Sequence, residues 1–118
     1  MRLRRGDVVL VEFPFADGTG AKLRPALVIQ NDRNNQRLTN VILAAITSTI
    51  HRQHEPTQLF IDPATPTGKR SGLVMPSVVS TENIFTVAQK RVRRKLGRLP
   101  TSLLQQVDDC LKASLGIR

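Results

Sequence analysis

The sequence predicts a single α+β domain over residues 1–118, built from a small, strongly bent antiparallel sheet or open barrel followed by a helix. Short apolar runs separated by turn residues fill most of the chain, and helical periodicity appears only near its C-terminus. A length of 118 residues suits one domain. Because the strands come first and the helix last, the pattern is typical of α+β folds rather than of βαβ units.

Three strands are predicted in the first half. Val8–Phe13 alternates weakly and holds one charge, and Arg24–Gln30 is nearly all apolar after Pro25, which is tolerated at the start of a strand. The third strand is Val41–Thr47. Asn31–Asn40 is crowded with polar residues, so we expect a loop there.

The second half predicts further strands. Thr57–Ile61 reads as a strand, and Asp62–Ser71, rich in Pro, Thr and Gly, as a loop. Gly72–Ser80 is a strand interrupted by Pro76, which predicts a sheet edge or a bulge. Asn83–Val92 is expected to extend the sheet.

The last segment has helical periodicity. Pro100 suits the first helical turn, and Gly116 is placed as a C-terminal cap. Cys110 falls within this helix and is expected to act as a small buried hydrophobe. Its apolar positions recur three and four residues apart: Leu103, Leu104, Val107, Leu111 and Leu115.

The charge points to an anionic partner. Eighteen Lys and Arg oppose nine Asp and Glu, for a formal net charge of +9. Such a chain attracts polyanions, so nucleic acid or an acidic protein is the expected partner. Four Phe with no Tyr or Trp argue against RNA binding by extensive aromatic stacking.

The sequence disfavours a membrane protein, a secreted protein and a cysteine-rich protein. No apolar run reaches the ~18 residues of a membrane span, and no apolar segment typical of a signal peptide follows the basic start, so we expect a cytoplasmic protein with no membrane partner. A single cysteine excludes an intrachain disulfide and a Cys-rich metal site.

An arginine and a threonine lie at the ends of neighbouring predicted strands. Arg24 offers a bidentate fork to phosphate oxygens, and the Thr47 hydroxyl can donate to the same phosphate. A nucleic-acid-cleaving site is therefore the leading hypothesis. Taken alone, however, Arg24 also fits a solvated strand start, and Thr47 fits ordinary strand packing.

The order and spacing of several blocks resemble the MazF/PemK family, the toxins of bacterial toxin–antitoxin pairs. These blocks are Gly6-Asp7-Val8 with Phe13-Pro14, Arg24–Ile29, Ala45–Ser48, Glu82-Asn83-Ile84 with Thr86, and Leu111–Gly116. The resemblance implies an SH3-like barrel, a homodimer, and cofactor-free, metal-independent cleavage of single-stranded RNA at short motifs. It also implies a cognate antitoxin whose acidic tail occupies the RNA groove.

The resemblance assigns residue roles. It implies that Arg24 is essential, that Thr47 is functional, and that Glu82 is a candidate general base. Glu82 also fits a solvated surface carboxylate. Asn83 is expected to read a base edge through its amide. The family often has an arginine where this chain has Phe85, which removes one expected phosphate contact.

Four further substrate contacts are predicted. Phe15, Asp17 and Lys22 belong to or flank the Gly-rich turn after the first strand, which either lines the groove or is a plain hairpin turn. Ser48, beside Thr47, is a weaker candidate.

The histidine pair and the basic run each allow two interpretations. His51 and His54 are spaced for one helical turn and are either surface residues or catalytic ones. The basic run is either a solvated face or a track for RNA or for the antitoxin's tail. Its members are Lys90, Arg91, Arg93, Arg94, Lys95 and Arg98.

Two other functions stay open. The same barrel occurs in gyrase-poisoning toxins, which bind a protein and need neither Arg24 nor Thr47. A basic RNA-binding module that has lost catalysis is the third hypothesis, supported only by Phe85.

Overall fold

The computed structural model describes residues 1–14 and 17–118. Phe15, which the sequence predicts as a substrate contact, lies outside these residues. In chain order the elements are β1 (Asp7–Pro14), β2 (Ala21–Val28), α1 (Asp32–Arg37), β3 (Asn40–Thr47), β4 (Gln58–Ile61), α2 (Pro66–Lys69), β5 (Ser77–Ala88), a 3₁₀ turn (Gln89–Arg91), β6 (Val92–Arg98) and α3 (Thr101–Leu115).

The strands form one six-stranded sheet in the order β4-β5-β3-β2-β1-β6. Every neighbouring pair is antiparallel. Helix α3 packs against β4 and β5. The predicted fold class, an antiparallel bent sheet with a C-terminal helix, is therefore confirmed.

Alternation along the strands gives the sheet two buried sides. Val8 of β1 lies opposite Leu27 of β2 and packs, with Val107 and Cys110 of α3, into the core under the helix. The strand residues next to Val8 and Leu27 point to the other side of the sheet, where Val9 belongs to a second core. Leu3, Val11, Ala26, Val28, Val41, Leu43 and Val92 complete that second core.

The C-terminal helix is close to its predicted form. Gly116 ends α3 in the left-handed conformation, with φ of +70°, which only glycine adopts without strain. Pro100 immediately precedes the helix instead of lying in its first turn. Cys110 is buried as expected, and desolvation raises the pKa of its thiol.

Two predicted loops contain short helices. Asn31 starts α1 by accepting a hydrogen bond from the Asn34 amide at 2.8 Å, so the polar segment 31–40 is not all loop. Thr65 starts α2 in the same way by accepting from the Gly68 amide at 3.0 Å, within the predicted loop 62–71. In both cases side-chain capping stabilises a helix that has no apolar periodicity.

The expectations for residues 72–98 need correction. The strand predicted at 72–80 starts only at Ser77, after Pro76, and β5 lies inside the sheet between β4 and β3. A register shift between Ala44 and Ala45 marks the bulge in this pair, away from Pro76. Residues 83–88 continue β5, whereas β6 was not predicted because its charges hide any alternation.

Candidate active site

Arg24 and Thr47 lie on adjacent strands. Ala26 pairs with Ala45 in the β2–β3 ladder. Continuing this register by two residues puts Arg24 opposite Thr47, and residues that oppose each other share one side of a sheet. The sequence expectation that the two strand ends meet is therefore met in the fold.

Both residues also border one pocket of about 400 Å³. Leu10, Pro25 and Ile46 lie on the side of the sheet that carries the core under α3. Arg24 and Thr47 are the next residues along β2 and β3, so they alternate to the other side, yet both also line the pocket. The complete lining is Leu10, Arg24, Pro25, Ile46, Thr47, Ser48, Gly72, Leu73, Val74, Met75, Ser77, Arg94 and Leu96. We call it the Arg24 pocket.

The formal charges that line the Arg24 pocket are both positive. They belong to Arg24 and Arg94, and no carboxylate of the described residues lines it. Arg24 is exposed and makes no ion pair or side-chain hydrogen bond within residues 1–14 and 17–118. An exposed guanidinium beside a pocket without a carboxylate is available to an external anion.

Hydroxyl groups accompany these cations. Thr47 is half-buried, and its Oγ1 accepts a hydrogen bond from the Thr49 amide at 3.1 Å. That contact uses an oxygen lone pair and leaves the Thr47 hydroxyl hydrogen free to donate. Ser48 lies exposed just beyond the strand, and it also lines the pocket.

Glu82 does not join Arg24 and Thr47. It lines a separate pocket with Arg52, Glu55 and Thr57. Its Oε2 accepts from Thr57 Oγ1 at 2.7 Å, from Gln58 Nε2 at 2.8 Å and from Arg52 at 2.6 Å. We call this second site the Glu82 pocket.

The three donors hold Glu82 in its charged form. The hydrogen bonds from Thr57, Gln58 and then Arg52 lower the pKa of the carboxyl below its ordinary value of 4.5. A general base that works near neutral pH benefits from a raised pKa, because the proton must be held strongly enough. Glu82 therefore lies in a different pocket from Arg24 and Thr47, with the pKa of its carboxyl lowered, and its role as a general base stays a prediction.

Asn83, Asp17 and Lys22 are not among the residues that line the Arg24 pocket. Asn83 Nδ2 donates to Ser80 Oγ at 3.2 Å. Asp17 accepts from the amide and hydroxyl of Thr19, which lowers the pKa of its carboxyl. Lys22 is exposed opposite Phe13, so none of these three lines the pocket with Arg24.

Phe85 packs against other apolar side chains. Its ring lies 4.7 Å from that of Phe13, centroid to centroid, and packs against the second core. The residue that replaces the arginine frequent in the family therefore fills the core side of the sheet and does not line the Arg24 pocket.

The two predicted histidines lie outside both pockets. His51 and His54 are exposed in a turn and line neither pocket. Within the described part of the chain, no three His, Cys, Asp or Glu side chains cluster as metal ligands. No helix among those residues is long and apolar enough to cross a membrane.

Sequence reasoning missed part of the Arg24 pocket. Its outer wall comes from Gly72–Met75, where Val74 is 91% exposed, and its second cation is Arg94. The exposed apolar pair Val74-Met75 between Gly72 and Pro76 was the available signal for the wall. Arg94 carried no signal that set it apart from its basic neighbours.

Comparison with known proteins gives the family. Residues 4–115 match the PemK-like, MazF-like toxins of type II toxin–antitoxin systems. The chain belongs to this family.

Solved structures share the fold of this MazF-like chain. The Mycobacterium tuberculosis toxin MazF-mt6 is 25% identical with a TM-score of 0.77, covering 95% of this chain and 98% of its own. An endoribonuclease in complex with its cognate antitoxin, from a mycobacterial species, is 23% identical with a TM-score of 0.75, covering 98% and 97%. The MazE–MazF complex of Deinococcus radiodurans is 19% identical with a TM-score of 0.78, covering both chains fully.

Proposed function

We propose that this chain is an endoribonuclease toxin that cleaves single-stranded RNA at short sequence motifs without a metal ion. The observation that carries the proposal is that Arg24 and Thr47 border one pocket that no carboxylate of the described residues lines. Membership of the MazF-like toxin family supports it. So does the likeness to a protein described as an endoribonuclease, and the net charge of +9 agrees with a polyanionic substrate.

The proposed chemistry is a transesterification within the RNA. The 2′-hydroxyl gives its proton to water as its oxygen attacks the adjacent phosphorus, the bond from phosphorus to the 5′-oxygen breaks, and the 5′-oxygen takes up a proton from water. The products are a 2′,3′-cyclic phosphate and a 5′-hydroxyl end. Negative charge grows on the phosphoryl oxygens during this step, so fixed cationic donors stabilise the transition state more than the ground state.

Arg24 and Thr47 are assigned this stabilisation. The Arg24 guanidinium offers two parallel N–H donors to the phosphoryl oxygens, and Thr47 adds its hydroxyl hydrogen. Loss of one such donor typically costs roughly 3–4 kcal/mol of transition-state stabilisation. Glu82 is not assigned as the base, because it lines another pocket and its partners favour the charged form. Ser48 is kept as a substrate contact.

The partners follow from the same charge. We propose a homodimer that acts in the cytoplasm and is inhibited by a cognate antitoxin with an acidic segment. An acidic segment would compete with RNA for Arg24 and for the other free cations of this surface. The neighbours solved with antitoxins support this partner class.

Purified protein tests the proposal. With excess EDTA present, the wild type should cut cellular mRNA into fragments with 5′-hydroxyl and 2′,3′-cyclic phosphate ends, and mapped ends should share a short motif. The Arg24→Ala variant, prepared identically, should leave the RNA intact, which excludes a contaminating nuclease. Intact RNA with a correctly folded wild type, or cleavage that requires a metal ion, would overturn the proposal.

A further inference from the structure

The structure divides the basic run of residues 90–98 into paired and unpaired cations. Lys95 and Arg98 each lie 3.1 Å from a carboxylate oxygen of Asp7, which is 2% exposed. Arg93 forms an ion pair with Glu12. The two carboxylates offset part of the charge of these three cations, so the three contribute less to the attraction of an external anion than unpaired cations do.

Arg94 differs from those neighbours. Within residues 1–14 and 17–118 it makes no ion pair and no side-chain hydrogen bond, and it is exposed. It is the member of the run that lines the Arg24 pocket. A free cation at the rim of a pocket with a second free cation is well placed to bind a polyanion.

The sheet register places Arg94 beside the pocket. Arg94 pairs with Leu10 of β1, and Leu10 also pairs with Pro25 of β2, so the three form a row across the sheet. Strands β6 and β2 flank β1, which separates the backbones of Arg94 and Pro25 by ~10 Å. Arg24 is the next residue along β2 and also lines the pocket, so the pocket has one arginine from β2 and one from β6.

A bulge in β6 distinguishes Arg94 from its neighbour Arg93. Leu10 pairs with Arg94, but Val11 pairs with Val92, which leaves Arg93 as an extra residue between them. A bulge of this kind redirects side chains along a strand. It separates Arg93, which pairs with Glu12, from Arg94, which lines the pocket.

We propose that Arg94 is a second phosphate-binding residue of the Arg24 pocket, holding a phosphate of the RNA strand next to the one that Arg24 contacts. The inference rests on the proposed ribonuclease function. Arg94 acts by binding and positioning the strand, and the chemical step is left to Arg24 and Thr47. Its removal therefore weakens substrate binding more than it slows the bound substrate's reaction.

The test compares Arg94→Gln with Arg91→Gln. Arg91 is a matched control, because it belongs to the same basic run, is exposed, lines neither pocket, and makes no ion pair among the described residues. Each substitution removes one positive charge from an exposed side chain. Binding is measured with random-sequence 2′-O-methyl RNA, which lacks the nucleophile, and cleavage with ordinary RNA under steady-state conditions.

Arg94→Gln should raise KM by about tenfold with a smaller change in kcat, and should flatten the slope of log K against log salt by about 0.7, the value for one phosphate contact on a single strand. Arg91→Gln should change KM less than ~3-fold. Equal effects of the two variants, with wild-type cleavage intact, would overturn the role of Arg94 and leave the ribonuclease proposal standing. A folded wild type that neither binds nor cleaves RNA would overturn both.

Discussion

The Glu82 pocket and the Arg24 pocket both contain arginine, and they differ in what surrounds it. In the Glu82 pocket, Arg52 contacts Glu55 and Glu82 at 2.5 and 2.6 Å, so its charge is neutralised within the molecule. In the Arg24 pocket, no carboxylate of the described residues lines the wall. Of Arg24 and Arg52, Arg24 is therefore the one that remains available to an external anion.

The hydroxyl groups of the two pockets show the same difference. Thr57 donates its hydroxyl hydrogen to Glu82 at 2.7 Å, so that donor is already used. Thr47 accepts from the Thr49 amide, and its hydrogen is available. Residue type alone does not separate Thr47 from Thr57 or Arg24 from Arg52, whereas their partners do.

The largest expected effect compares the two arginines. Arg24→Ala should lower kcat/KM for RNA cleavage by about 10²–10³-fold, because it removes a charged donor from the transition state. Arg52→Ala should change kcat/KM by less than ~3-fold, because its charge serves Glu55 and Glu82. Initial rates on a defined RNA, with circular dichroism to confirm folding, measure both. Similar losses in the two variants would remove the distinction between the pockets.

A smaller effect is expected for the two threonines. Thr47→Val keeps the shape of the side chain and removes its hydroxyl, which should lower kcat/KM by ~10–100-fold, the range for a lost hydrogen bond to a charged group. Thr57→Val is the matched control and should leave kcat/KM within ~3-fold. The same cleavage assay measures both variants. Unchanged activity in Thr47→Val would exclude the role assigned to the Thr47 hydroxyl.

The smallest effect concerns Glu82. Glu82→Gln should leave kcat/KM within ~3-fold, since its carboxylate lies in the other pocket. The Glu82→Gln substitution should instead change the pH dependence of the free energy of unfolding. The folded-state pKa of Glu82 is lowered, so its charged form stabilises the wild type above the ordinary pKa of 4.5, and this contribution disappears as pH falls through the lower folded value.

Urea unfolding of both proteins at several pH values measures this difference. The stability advantage of the wild type over Glu82→Gln should be largest near neutral pH and should shrink in acid below pH 4.5. Lost cleavage activity in a folded Glu82→Gln variant would instead return Glu82 to the catalytic step.

Much of the fold was predictable because its signals are local. The apolar runs located β1, β2 and β3 to within a few residues. Apolar residues three and four positions apart, followed by Gly116, located α3. The helices α1 and α2 were missed because each depends on one capping side chain, Asn31 or Thr65, in a polar segment. Strand β6 was missed because five of its seven residues are charged or glycine, so no alternation shows.

The sequence by itself determined the fold class, the basic charge and the two residues, Arg24 and Thr47, that follow from strand ends and family blocks. Tertiary structure alone decided which charged side chains meet. It joined Glu82 to Arg52, Thr57 and Gln58 across distant parts of the chain, and it brought Arg94 to the pocket of Arg24. The physical reason is that strand periodicity is set by neighbouring residues, whereas ion pairing depends on sheet register and bulges, which form only when strands far apart in sequence come together.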